Sequence, residues 1–293
     1  MAATGKDIHS TEVLRTTGVA AVVSAVAVRT ESPLPELIWG VLACLGVLIT
    51  CLGCDPRTKL SRRFTLVFMD WQAFWLTIRL AFTVTLLLLL LGFPLAYWIA
   101  FSRWRWKFLV EAVVALPIVL PPTVLGFYVL LALGQHGAIG RWWQSMTGHT
   151  LAFTFTGVVI GSVLYSFPFA VQPFATALAS VDSRLLAASD VLGVSKFQTF
   201  WRVLVPLSVS GLVTGVALSF AHTMGEFGVV LMVGGNIPGV TRTLSINIYD
   251  QVQNLNYAAA NTTALVLVAI AFILLSLVYS LNRKFWSLGP RQI

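Results

Sequence analysis

Charge is scarce in this chain. Only 10% of its 293 residues are Asp, Glu, Lys or Arg, against 57% hydrophobic residues, and the mean hydropathy is +0.85. A water-soluble domain needs more charge than that to cover its surface, so the class is integral membrane. Helices are the expected spanning element, because they satisfy their own backbone hydrogen bonds where lipid cannot. Cysteine is nearly absent. Cys44, Cys51 and Cys54 share one apolar stretch, and no histidine or second pair accompanies Cys51-x-x-Cys54. Neither a metal site nor a disulfide framework follows from that spacing. Small apolar residues in or near a span are the simpler reading, and Cys51 departs from the leucine usual in a lipid-anchor pattern. Catalytic signatures are missing as well: there is no G-x-x-x-x-G-K-[ST], no H-E-x-x-H and no G-x-S-x-G. The chain shows no enzyme chemistry of its own and no metal site.

What the sequence does contain is long apolar runs. Five strong candidate spans cover residues 74–100, 108–133, 151–179, 205–233 and 258–281. The expected fold is all-α, a polytopic transmembrane bundle of five core spans, with a further N-terminal span over 34–54. The first strong span holds six leucines in a row, Leu86 to Leu91, and the second carries Pro117, Pro121 and Pro122. Prolines break the hydrogen-bond ladder, which is tolerated in a membrane only where neighbouring helices cover the freed carbonyls. The net charge of +8 suggests nucleic acid, but in a membrane protein the position of basic residues decides. Arg103, Arg105, Lys107, Arg184, Lys196, Arg202, Arg283, Lys284 and Arg291 fall in one set of loops and the tail, against Arg141 and Arg242 in the opposite set. The richer set is expected to be cytoplasmic, the C-terminus with it, and the partner is the lipid bilayer, not nucleic acid. Residues 1–68 form an N-terminal extension. If 34–54 spans, Arg57, Lys59, Arg62 and Arg63 fall outside, against the rule; a natural start at Met69 is the alternative.

On that face lies a polar interruption, "LLAASDVLGVSKFQTFWRVLVP" at 185–206, within a loop of 180–206. A short helix is expected to begin near Asp182-Ser183, with Ser183 as N-cap, and to stop at Gly193. Such an amphipathic helix suits docking into a groove on a partner, or lying in the interface.

"AASDVLG" followed by "VLVP" resembles the coupling loop of ABC-importer permeases, although the family's glutamate is missing; the resemblance implies that Ala187, Ala188, Ser189, Asp190, Gly193 and Pro206 carry the contact with an ATPase subunit. "LPIVLPPTVLGFYVLLALGQHGAIG" and "GEFGVVLMVGGNIPGVTRTLSINIY" are similar to the molybdate branch of that family, in one register from about residue 69 to 283. The resemblance implies a permease domain over 69–285 in a bacterial inner membrane, followed by a tail of 286–293. It implies a homodimer served by two ATP-binding cassette subunits and a periplasmic molybdate-binding protein. No cofactor is bound by this chain; ATP and Mg are used by the partner ATPase. Sulfate, thiosulfate or tungstate permeases are close alternatives, and an ion-coupled secondary transporter is a rival from another class.

Few cations are expected along a passage that must release a dianion, and within the five spans only Arg79, Glu111 and Glu226 are charged. Ser219, His222, Thr223 and Glu226 follow i, i+3, i+4, i+7 and are expected to share a helical face. With Gly225 and Gly228 they are the candidate path or gate. A carboxylate at membrane depth is expensive, so Glu226 is expected to pair with Arg79, and Glu226→Gln to loosen fold or gate. In the outer loop, Asn236, Pro238, Gly239, Thr241, Arg242 and Thr243 offer neutral donors and one cation, as an anion gate, a binding-protein dock or simply a Pro-Gly turn.

Overall fold

In the computed structural model the chain is described over residues 70–288, and every regular element among them is helical. The expected span at 34–54, the three cysteines, the 68/69 boundary and the extreme C-terminal tail lie outside the described residues.

Helix α1 (Trp71–Phe101) is capped by Asp70, whose carboxylate accepts from the amides of Gln72 and Ala73. Its buried stripe of Leu80, Val84 and Leu88 recurs at i, i+4, i+8 and packs against Val171, Phe174 and Leu178 of α5 (Phe155–Ala179). Of the six consecutive leucines Leu88 is buried and Leu87 packs partly against the core, whereas Leu86, Leu89, Leu90 and Leu91 turn outward, as a lipid-facing surface requires. Between α1 and α5 the chain forms α2 (Lys107–Val119), α3 (Pro122–Leu133) and α4 (Ala138–Thr147). The proline-rich span is broken, not merely kinked: α2 and α3 meet at 110°. Leu120 and Pro121 each precede a proline and both are extended, with ψ 136°, because the following ring excludes the α region. If the bent pair counts as one span, the described residues hold five.

The polar interruption contains α6 (Ser183–Val191). Its N-cap is Asp182, not Ser183: the aspartate carboxylate accepts from the Arg184 amide at 2.8 Å. Its end follows the expectation. Gly193 adopts φ +69°, the amide of Gly193 donates to Asp190 and that of Val194 to Ser189, closing a Schellman motif. Ser195 then caps α7 (Lys196–Thr199), which passes through a π-helical turn (Phe200–Leu204) into α8 (Val205–Gly225). Pro206 has no N–H, and the wider turn just before it accommodates the missing bond. The stretch Lys196–Gly225 therefore runs as one 30-residue apolar element.

The span expected over 205–233 ends early. Glu226 leaves the helix with ψ 132°, and a separate short helix, α9 (Gly228–Gly234), follows. The chain closes with α10 (Leu244–Gln253) and α11 (Tyr257–Leu288). Helices α1, α5 and α8 form the central packing, and α9 wedges between α3 and α5. Close approach explains the glycine of the wedge: a Cβ on Gly228 would sit 2.6 Å from Cβ of Pro122. The α5–α8 seam is as tight. A Cβ on Gly211 would collide with Ala177, so Gly211→Val should cost at least about 1–3 kcal/mol through overpacking. A lower melting temperature of the detergent-purified chain is the check.

Candidate translocation site

Two helix breaks meet at one place. The Pro121–Pro122 bend of α2–α3 faces the Glu226–Phe227 break of α8–α9, and between them lies a cavity of about 520 Å³. Pro122, Thr123, Tyr165, His222, Glu226 and Gly228 contribute to its lining. Broken helices at membrane depth are tolerated where they line a cavity, because the freed backbone groups need polar company.

Ser219, His222 and Thr223 do share a face of α8, as their spacing predicts. They meet a matching face of α5, Ser162, Tyr165, Ser166 and Phe169, again at i, i+3, i+4, i+7. The Thr223 and Ser166 hydroxyls lie 3.0 Å apart and hydrogen-bond across the interface. Ser219 and Thr223 donate to the carbonyls of Gly215 and Ser219, at 2.8 Å each. His222 is sandwiched: its ring stacks on Phe169 at 3.8 Å between centroids and lies 5.0 Å from Tyr165. Its Nε2 has no hydrogen-bond partner among the described residues. The α5 face was missed from sequence, although two serines four apart inside an apolar span are a readable signal.

Glu226 corrects the sequence reading twice. It stands outside α8, so it does not continue the helical face. It also does not pair with Arg79, whose guanidinium lies 4.5 Å over the Phe155 ring. The carboxyl group is buried at 4% exposure, and among the described residues neither oxygen has a hydrogen-bond partner. The Ser162 hydroxyl is its neighbour on α5 but does not reach hydrogen-bond geometry. The backbone is better held: Ser245 of α10 donates to the Glu226 carbonyl at 2.5 Å. Gly225 beside it has open space around its Cα.

The outer-loop residues gather into a clasp. Gly239 sits at φ +73° in a turn where the amides of Val240, Thr241 and Arg242 converge on the Ile237 carbonyl, with Pro238 exposed beside it. Thr241 is buried and donates to the Gly234 carbonyl at 2.7 Å; Thr243 is buried against Ser245. Arg242 donates to Asn236 at 2.6 Å and lies 3.9 Å from Asp250, which also accepts from Asn236. Arg242→Ala should cost about 1 kcal/mol or less at this partly exposed site. It should also speed hydrogen exchange at the amides of Ile237, Val240 and Thr241. Two further ties, unread in the sequence, bind α10 to α1. Leu244 donates its amide to Thr77 at 2.9 Å, and Asn247 donates to Asp70 at 3.4 Å.

At the other end, the predicted docking residues stand clear. Ala187, Ala188, Asp190 and Gly193 are exposed; Ser189 turns inward and donates to the Leu185 carbonyl. Val191 and Leu192 are 87% and 79% exposed. Phe197 and Trp201 continue the apolar surface along the next turn.

The profile of the family described as binding-protein-dependent transport system inner membrane component matches residues 89–287. The chain belongs to that family. The molybdenum transport system permease protein ModB of Azotobacter vinelandii is 48% identical over 216 residues, covering 74% of this chain and 95% of the relative. ModB of Escherichia coli K12 is 33% identical over 211 residues, covering 72% and 92%. These relatives make the chain a ModB-type ABC permease, a multi-pass membrane transport protein. Among solved structures, a bacterial ABC transporter involved in import of alginate aligns with TM-score 0.62 at 18% identity, covering 86% of this chain and 93% of that one. An inward-facing methionine transporter aligns with TM-score 0.58 at 17% identity, covering 78% and 99%. At such identities the likeness establishes the fold, a type I importer permease.

Proposed function

We propose that this chain is the membrane-spanning subunit of an ATP-driven molybdate importer of the bacterial inner membrane. The observation that carries the reading is the 48% identity to a molybdenum permease along 95% of that relative's length. Two copies line one passage, and a separate ATPase subunit docks on α6 of each copy, consuming ATP and Mg. A periplasmic molybdate-binding protein delivers the anion to the outer-loop end, and the C-terminus lies in the cytoplasm with α6. The exposed Val191–Leu192 tip and the bare face of Ala187 and Ala188 support the docking role. Alternating access then moves α8 relative to α3 around the cavity at Glu226. Few fixed cations near that cavity suit a dianion that must be released, not held.

A sulfate reading has one specific observation behind it. A probable sulfate permease of Prototheca wickerhamii is 33% identical over 206 residues, covering 70% of this chain and 80% of the relative. The deciding experiment is uptake of labelled molybdate by vesicles containing the chain, its ATPase and its binding protein. Molybdate uptake that requires ATP and resists excess sulfate supports the proposal. Uptake suppressed equally by sulfate, or driven by an ion gradient without ATP, overturns it.

A further inference from the structure

A second cavity, about 550 Å³, is lined by apolar residues and presents an almost wholly apolar surface. Leu91 and Leu95 of α1 form one wall, Val110, Val113 and Pro117 of α2 another, and Phe167 of α5 belongs to the lining. An apolar cleft of that size in the lipid-exposed part of a bundle takes up hydrocarbon from whatever lies beside it. One end carries a distinct chemistry. One turn beyond Leu95, the Ile99 carbonyl accepts from Lys107 Nζ at 3.5 Å, which sets the ammonium between α1 and α2 past the Leu95–Val110 end of the cleft, where Ile99 and Glu111 line a separate cavity. Lys107 opens α2, whose N-cap Trp106 supplies no side-chain bond, so the positive end of the helix dipole adds to the charge there. Arg103 and Arg105 in the connecting loop are exposed, and Arg105 lies 5.5 Å over the Trp106 ring. Glu111 offsets one of these charges, 3.8 Å from Lys107. Trp98, Trp104 and Trp106 surround the same end, the position aromatic rings take at a membrane interface.

We infer that this cleft is a binding site for an anionic phospholipid, with one acyl chain between α1 and α2 and the phosphate at Arg103, Arg105 and Lys107. Charge complementarity selects the occupant: basic pockets at the end of an intramembrane groove recognise acidic headgroups. A second copy of the chain would present another apolar surface and leave the cations unmatched. The inference needs only the membrane placement of the chain and is independent of the anion transported.

The full chain, purified in mild detergent with equal phosphatidylglycerol and phosphatidylcholine, is read by native mass spectrometry. Phosphatidylglycerol should be retained preferentially. The double variant Arg103→Gln/Arg105→Gln should lower that preference about 25-fold, about fivefold for each charge. Val113→Trp fills the cleft from a position 69% exposed and should reduce retention of both lipids at an unaltered melting temperature. Equal retention of the two lipids, insensitive to these substitutions, overturns the inference. So does efficient cross-linking between copies through Val113→Cys, with Cys44, Cys51 and Cys54 replaced by alanine, which would give the cleft to a partner subunit.

Discussion

Exchanging both Val191 and Leu192 for glutamate should abolish ATP-driven uptake while the chain reaches the membrane in normal amount. Both side chains are almost wholly exposed and hold nothing together within the chain, so folding has little to lose. Docking has much to lose. Seating two such aliphatic side chains in a partner groove contributes about 1.5–3 kcal/mol each, and burying two carboxylates there adds a desolvation cost. Together these imply at least a hundredfold weaker association with the ATPase subunit. Co-purification of that subunit and uptake by vesicles are the two readouts. Uptake that persists with the ATPase still attached would place the energy-transmitting contact elsewhere.

The Glu226 substitutions should split sharply by charge. Glu226→Lys puts a longer, oppositely charged group where the carboxyl has neither a hydrogen bond nor an ion partner among the described residues. A buried unmatched charge costs roughly 3–5 kcal/mol, enough to remove folded protein from the membrane. Glu226→Gln keeps the shape and removes the charge, and its amide can donate to the nearby Ser162 hydroxyl. Its melting temperature should equal or exceed that of the unaltered chain. This reverses the expectation drawn from sequence, which paired Glu226 with Arg79 and foresaw a loosened fold. A large loss of stability in Glu226→Gln would show that a cation from outside the described residues meets the carboxylate.

The contrast shows where sequence reasoning holds. Apolar runs, prolines and the Ser219–His222–Thr223 spacing are local, and the helices follow them. The stop at Gly193 was equally legible, because a left-handed residue after an amphipathic helix has few alternatives. Glu226 was misread because periodicity carries no information about where a backbone leaves the helix. The i+7 position exists on paper, but the chain turns away at ψ 132°. Arg79 was misread because its contact with Phe155 spans 76 positions of sequence. The two prolines announced a bend, yet its 110° depth required both Leu120 and Pro121 to be extended. The outer clasp joins Asn236, Arg242 and Asp250, and only tertiary placement shows that the lone cation of the loop is already engaged.

The unbroken run from Lys196 to Gly225 has a mechanical meaning. Thirty residues at about 1.5 Å each make a stiff shaft about 45 Å long. One end adjoins the exposed α6 turn; the other stops beside the open space at Gly225. A tilt of a few degrees at the near end becomes a displacement of several ångströms at the far end, with no slack linker to absorb it.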